Sequence, residues 1–445
     1  MKPLVDISGP AISASFKKAL EDPSSVGEPE LNAVLNLQTT KVYQHNKVAG
    51  EFETDAKHIL LTMSDPGAFN ATMPLIKKLL TDPRCCTISV ITDGVGSLAF
   101  ADSEEEAVFT RINPENTPLY LKTMLATTTD RSYGYDDVPT PLRDLDVVIS
   151  TTSAVEGPER TMTAGAKSLY GAGKHIMIYE GWSTNPGASF LSISDEEVDA
   201  VICNDELAKQ CLLRSTAKFS SDRILPLGTA NLDVPVTQEG FLRKEGRRKL
   251  GLKADEKTVL FVGNVSGANS YPNVRDKNPE FNEQSWYETI EACIEAAKLA
   301  PDKNFALLLR THPRDPKKNE LIASLAIEGL PTNLRLIDAT GSIVSMDEAA
   351  YASEIILAVN STENLRAPHL NRTSAFLAYT GISDKIFDAY WPEDLRIVMQ
   401  ALPGVGVVSS KADLIALMLE ERFFSIERTA TDKSYVDGIL DHVLN

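Results

Sequence analysis

Two short segments in the second half constrain this chain more than any others. They are Phe305-Ala-Leu-Leu-Leu-Arg-Thr-His-Pro-Arg314 and Glu354-Ile-Ile-Leu-Ala-Val-Asn-Ser-Thr-Glu363. Each runs apolar and partly β-branched, then breaks into groups suited to holding an anion. A strand buried on both faces shows such a continuous run, because side chains on either side of the pleat meet a core. In open α/β sheets, ligands sit beyond the carboxyl ends of these strands. Two such ends in one half of the chain predict a nucleotide pocket.

At 445 residues the chain exceeds one ordinary core, and two or three domains are expected. Its net charge of −18 argues against a nucleic-acid groove or a general attraction to anionic membranes. A local basic pocket for a phosphorylated small molecule is compatible with it. Cys85, Cys86, Cys203, Cys211 and Cys293 form no CxxC pair and no zinc spacing, so buried thiols are expected and no metal site. Met1-Lys-Pro-Leu-Val-Asp6 has no apolar leader and no stretch approaches a membrane span, so a cytoplasmic location is expected.

Residues 1–55 are polar and mixed, and read as an N-terminal extension with short helices at 14–21 and 30–38. From Lys57 a regular alternation begins. Strands are expected at 58–63, 87–92, 146–150, 175–179, 200–203 and 223–227, with helices at 71–80, 117–126, 156–171 and 205–214. Short apolar strands alternating with helices imply a mostly parallel sheet built by right-handed crossovers. Leu227-Gly-Thr-Ala-Asn-Leu-Asp-Val-Pro235 has no periodicity and precedes the charged run 243–249, which marks a domain boundary. A second series follows: strands at 258–263, 305–309, 334–337, 355–359, 375–379 and 405–408, and a helix at 284–299. The reading is two α/β domains, 56–235 and 236–425, with a closing helix in 426–445 able to pack on either.

Chemistry gathers at the strand ends. Gly263-Asn264 opens a glycine-containing loop whose backbone can approach a ligand closely and whose N–H groups can form an anion-binding nest. Arg310, His312 and Arg314 place two guanidiniums and an imidazole around one strand end, where Arg offers paired donors to phosphate. Ser361 or Thr362 caps a helix start, with Glu363 set to accept from ribose hydroxyls. In the first domain, Asp65-Pro-Gly-Ala-Phe-Asn70 reads as a strand-end turn. Asp65 there is either a general base, a polar anchor for an acceptor or a helix cap, and Asn70 is an acceptor contact. Glu156, Glu159 and Glu180 lie on further strand-end loops that would face the same cleft, where Glu180 is a second candidate acceptor contact. Gly171-Ala-Gly-Lys-His175 fails as a phosphate loop, because Ser168 stands at the first glycine position and His175 at the hydroxyl position.

Taken together, Arg248-Lys-Leu-Gly-Leu252, Lys257-Thr-Val-Leu-Phe-Val-Gly263, Leu309-Arg-Thr-His-Pro-Arg-Asp315 and Ala352-Ser-Glu-Ile-Ile-Leu-Ala-Val-Asn-Ser-Thr362 resemble the donor-binding half of GT-B glycosyltransferases and their relatives. Those relatives include UDP-N-acetylglucosamine 2-epimerases, CDP-glycerol glycerophosphotransferases and bacterial GT-B sialyltransferases. The resemblance extends to Asp199–Asp205 and Ile224–Thr229. It implies an α/β fold of two Rossmann-like parallel-sheet domains facing a cleft, with acceptor in the first and nucleotide in the second. It places Gly263, His312, Ser361, Thr362 and Glu363 around a nucleotide diphosphate and ribose, with a slight tilt toward cytidine over uridine. The epimerases' His-Glu segment is not seen, which weakens that reading, and the catalytic base is not assigned by motif. The candidates for catalysis are Asp65, His312 and Glu156.

The activity expected is therefore a metal-independent glycosyltransferase. It would move a sugar or sugar-like group from a UDP-, CDP- or CMP-linked donor to a hydroxyl of a glycan, lipid or small molecule. No separate cofactor is expected. A sugar-nucleotide epimerase and a catalytically silent binding or assembly protein are the alternatives. The N-terminal extension favours a partner or a self-assembly contact such as a homo-oligomer.

Overall fold

The computed structural model describes residues 41–63, 66–92, 94–112, 142–143, 145–151, 165–168, 170–182, 196–215, 219–233, 236–264, 280–312, 315–402, 404–419 and 434–445. The helices expected at 14–21, 30–38 and 117–126, and most of that at 156–171, lie outside them. The chain divides into two compact units, Met1–Asp233 with Lys433–Asn445, and Val234–Asp432.

The first unit carries an eight-stranded sheet in the order β4-β1-β3-β2-β5-β6-β7-β8. Six strands run parallel: β2 (Lys57–Met63), β3 (Cys85–Thr92), β5 (Val147–Ser150), β6 (Lys174–Tyr179), β7 (Ala200–Cys203) and β8 (Ile224–Leu225). Beyond β3, β1 (Lys41–Asn46) pairs antiparallel with β3, and β4 (Thr110–Arg111) with β1. Thus part of the expected 1–55 extension is a sheet strand. It was hidden because only Tyr43 in it is buried, leaving no apolar run or alternation to read.

The turn expected at 65–70 is also corrected. A helix occupies Pro66–Leu79, so Asn70 stands exposed on it rather than in a turn. Proline is tolerated in the first helical turn, where its missing N–H has no intrahelical partner to lose. The C-terminal helix Tyr435–Leu444 packs on this unit. Its Val436, Ile439, Leu440, Val443 and Leu444 join Ile59, Leu61, Leu75 and Leu79 in one core. Arg84–Asp441 (2.9 Å) and Lys78–Asp437 (3.0 Å) pair along its edge. Gly228, with φ of +85°, lies against Tyr435; a Cβ there would stand 2.1 Å from the ring.

The second unit is a six-stranded, fully parallel sheet in the order β11-β10-β9-β12-β13-β14. Its strands are β9 (Glu256–Val262), β10 (Asn304–Arg310), β11 (Leu334–Asp338), β12 (Ile355–Ala358), β13 (Thr373–Leu377) and β14 (Val405–Val408). The continuous apolar runs have the reason anticipated. Phe305, Leu307 and Leu309 of β10 enter a core shared with helices Phe281–Leu299 and Lys411–Leu419, while Ala306 and Leu308 enter another on the opposite face with helix Met346–Ala352. The charged run at 243–249 belongs to a helix, Val236–Lys249. Its packing depends on Gly246 set against the Glu348 carbonyl, which no hydrophobic pattern reveals.

Four cysteines are buried and Cys86 is partly so; all five are free thiols. Burial pushes Cys85, Cys203 and Cys211 up to about 12, which leaves them poor nucleophiles at neutral pH.

Candidate functional site

Counted from β9, the second sheet runs 3-2-1-4-5-6, so the strand order reverses between β9 and β12. At such a switch point the two connections leave in opposite directions and open a crevice at the carboxyl edge. Val262 is the register partner of Arg310, and Phe261 that of Leu357. Gly263, Thr311 and Val359 therefore leave the sheet at one level. Of the predicted site residues, Gly263, Asn264, Arg310, His312, Ser361, Thr362 and Glu363 are gathered at this edge.

Gly263 is buried, and its N–H donates to the Arg310 carbonyl at 2.8 Å. An added Cβ would lie 3.2 Å from that same oxygen and 3.5 Å from Asn282 Oδ1. The close approach thus has a use within the protein: it brings the exits of β9 and β10 together. The next residue, Asn264, donates its N–H to Asn282 Oδ1 at 2.8 Å, while its Nδ2 is buried with no partner among the described residues. A buried donor without an acceptor costs about 1–3 kcal/mol, which marks this amide as one that a ligand oxygen would satisfy.

Arg310 is partly committed elsewhere. Its Nη1 donates to the carbonyls of Ala339 (2.6 Å) and Val344 (2.9 Å), tying the loop after β11 to the end of β10. Burial lowers its pKa against the pull of Glu363, Asp338 and Asp347. Any phosphate contact falls to its remaining donors. His312 is half-buried, and its carbonyl accepts from Asp315 N–H at 2.9 Å. Arg314 lies outside the described residues.

Ser361 caps the helix Thr362–Arg366: its Oγ accepts from Glu363 N–H (3.3 Å), and Asn364 Oδ1 accepts from Ser361 N–H (3.2 Å). Asn364 is buried and anchors this turn to β13 through the Ala375 carbonyl at 2.9 Å. The helix has five residues, so its dipole contributes little, and Ser361 is occupied in holding it. Glu363 Oε2 pairs with Arg366 Nη1 at 3.3 Å, and Arg366 also reaches Asp347 at 2.5 Å. Burial of Arg366 would lower its pKa, but Glu363 and Asp347 hold it above the ordinary value. Thr362 is exposed.

Sequence reasoning missed Asn282 and Asp315. Both are buried, at 1% and 4% exposure, and Asn282 Nδ2 donates to Asp315 Oδ2 at 2.8 Å. The only trace in the sequence is Asp315 three residues after His312, a spacing that suits a turn.

In the first unit, Glu180 follows β6. Its carbonyl accepts from Asn204 Nδ2 at 2.8 Å, and the buried Asn204 accepts in turn from Thr229. Trp182 Nε1 reaches both oxygens of Asp205 at 2.9 Å, and Asp205 caps the helix Glu206–Arg214. The loop carrying Glu180 is thus tied down from both sides. Asp65, Glu156 and Glu159 lie outside the described residues.

No protein-family model matches the sequence, and no curated protein is significantly similar to it. Solved structures do resemble it. S. aureus MnaA with UDP shares 14% identity over 87% of this chain and 96% of that one, with a TM-score of 0.53. The UDP-GlcNAc 2-epimerase from Neisseria meningitidis, bound to UDP-GlcNAc, shares 15% over 87% and 99%, at 0.52. That from Methanocaldococcus jannaschii, in complex with UDP-GlcNAc and UDP, shares 13% over 86% and 99%, at 0.51. The likeness is one of fold: this chain shares the two-domain, GT-B-like α/β architecture of these structures. At these identities the likeness speaks for the GT-B fold, and the chemistry must be argued from the residues. No helix among the described residues is long and apolar enough to cross a membrane.

Proposed function

We propose that the carboxyl edge of the second sheet binds the diphosphate and ribose of a nucleotide-activated sugar. On this reading the GT-B-fold protein is an enzyme that moves the sugar to a hydroxyl acceptor. The observation that carries the proposal is the set of residues at the switch point between β9 and β12: a close-approach glycine, an unpartnered buried amide, a histidine and a capped turn bearing Glu363. Backbone N–H groups, the Asn264 amide and His312 would donate to diphosphate oxygens, and Glu363 would accept from the ribose. Such donors stabilise a leaving diphosphate most as its charge grows in the transition state. Asp65, Glu156 and His312 are the candidates for deprotonating the acceptor, and the reaction is proposed to need no bound divalent metal.

A second reading is supported by the resemblance itself, since epimerases of UDP-GlcNAc align with most of this chain. Those proteins are solved with UDP or UDP-GlcNAc, a reason to include uridine nucleotides beside the cytidine ones in a ligand panel.

The test is thermal unfolding against UDP, CDP, CMP, GDP, ADP and TDP, each with Mg²⁺ or with a chelator. A nucleotide at 100 times its dissociation constant adds about 2.7 kcal/mol, enough to raise Tm visibly. The expected outcome is a selective rise, equal in both arms, that disappears in His312→Ala. A melting curve unmoved by every nucleotide overturns the reading. Incubation with the selected sugar nucleotide alone then separates the two activities: an epimerase interconverts it, whereas a transferase leaves it intact until an acceptor is added.

A further inference from the structure

A hydrogen-bonded chain joins the exits of β9 and β10, and its two linking side chains, Asn282 and Asp315, have no part in the ligand contacts proposed above. Asn264 N–H donates to Asn282 Oδ1 (2.8 Å), and Asn282 Nδ2 donates to Asp315 Oδ2 (2.8 Å). Asp315 Oδ1 accepts from Lys317 N–H (2.9 Å), and Asp315 N–H donates to the His312 carbonyl (2.9 Å). An amide and a carboxyl group are costly to bury, and a core position would ordinarily be filled with apolar atoms. Through these bonds the pair fixes the backbone of Asn264 on one side and the turn containing His312 on the other. Fully satisfied buried polar links of this kind impose one geometry, since each broken bond leaves a group with no water to turn to.

We infer that Asn282 and Asp315 are positioning residues for the nucleotide site. They clamp the residue after β9 to the turn after β10 and hold Asn264 and His312 at a set spacing beside the diphosphate. The inference rests on the nucleotide reading of this edge. It assigns Asn264 Nδ2, whose backbone donor the clamp already consumes, to a phosphate oxygen.

The bonding pattern supplies its own test. Asp315→Asn puts an amide donor where two acceptors are needed, and Asn282→Asp sets two carboxyl groups against each other. The double variant restores these three side-chain bonds with the roles exchanged. The carboxylate then at position 282 would accept from Asn264 N–H and from the new amide at position 315, whose oxygen would accept from Lys317 N–H. Affinity for the nucleotide selected by the wild-type protein is measured by calorimetry, at a temperature where each variant is folded. Each single variant should lose about tenfold or more, and the double variant should regain most of it, a coupling that two independent sites would not show. Single variants that fold and bind as wild type overturn the inference, as does a folded double variant that stays weak. Should the substitutions at 282 and 315 prevent folding, Asn264→Ala decides: a roughly tenfold loss supports the assignment and an unchanged affinity overturns it. Wild-type protein that binds no nucleotide overturns the functional reading itself, and with it the clamp's purpose.

Discussion

His175 shows how a residue's role follows from its neighbours. It lies near the start of β6, is fully buried, and holds Ser150 Oγ at 2.8 Å and the Glu197 carbonyl at 2.7 Å. A carbonyl only accepts, so Nδ1 carries the proton, Nε2 accepts from the serine, and the ring is neutral. Burial pushes its pKa down to about 4, outweighing the upward pull of Glu197 and Asp199. The unfolded chain therefore binds a proton between roughly pH 6.5 and 4 that the native unit excludes. Stability from this group is complete above pH 6.5 and falls with pH through that window, by roughly 3 kcal/mol in all. Amide exchange across β5 and β6, corrected for intrinsic rates, should speed up at pH 5 relative to pH 7, and His175→Gln should flatten the difference. A pH-independent protection in the wild-type protein would contradict the neutral buried ring. In the sequence this histidine merely spoiled a phosphate-loop match, because burial and the Ser150 contact come from strand pairing.

At the scale of elements, the helix Val236–Lys249 separates pattern from packing. Gly246 is buried, and a Cβ there would lie 2.2 Å from the Glu348 carbonyl oxygen, so the helix backbone would have to move away from Met346–Ala352. Gly246→Ala should destabilise the second unit by about 1–3 kcal/mol, as overpacking does. Gly240 in the same helix is exposed, with nothing within 4 Å of its added Cβ. There the alanine should stabilise by about 0.5–1 kcal/mol, since glycine surrenders more backbone freedom on forming a helix. Urea unfolding of both variants checks the opposite signs. The elements that the sequence revealed best were the buried strands, where two-sided burial writes a continuous apolar run. This helix and β1 were missed because few of their residues are apolar and buried: Gly246, with Leu242 partly so, in the helix and Tyr43 in the strand, too few for any periodicity.

For the molecule as a whole, the last helix matters to a unit whose strands are hundreds of residues earlier. Its five buried apolar side chains, Val436, Ile439, Leu440, Val443 and Leu444, complete the first unit's core, and Asp233 accepts from Val436 N–H at 3.1 Å. At about 1.5–3 kcal/mol for each buried side chain, their loss rivals the 5–15 kcal/mol that holds a typical domain. A chain ending at residue 433 should lose exchange protection throughout β2 and β3 while β9, β10 and β12 keep theirs. Protection retained in β2 and β3 would show the helix to be dispensable. The alternation of strands and helices, the parallel second sheet and the polar residues at its strand ends were written in the sequence, because local hydrophobic runs and polar breaks encode them. Tertiary structure alone decided the partners: which residues clamp Asn264 to the His312 turn, which carbonyls claim Arg310, and which unit takes the C-terminal helix. Those choices depend on groups brought together from distant parts of the chain, and no local pattern records the pairing.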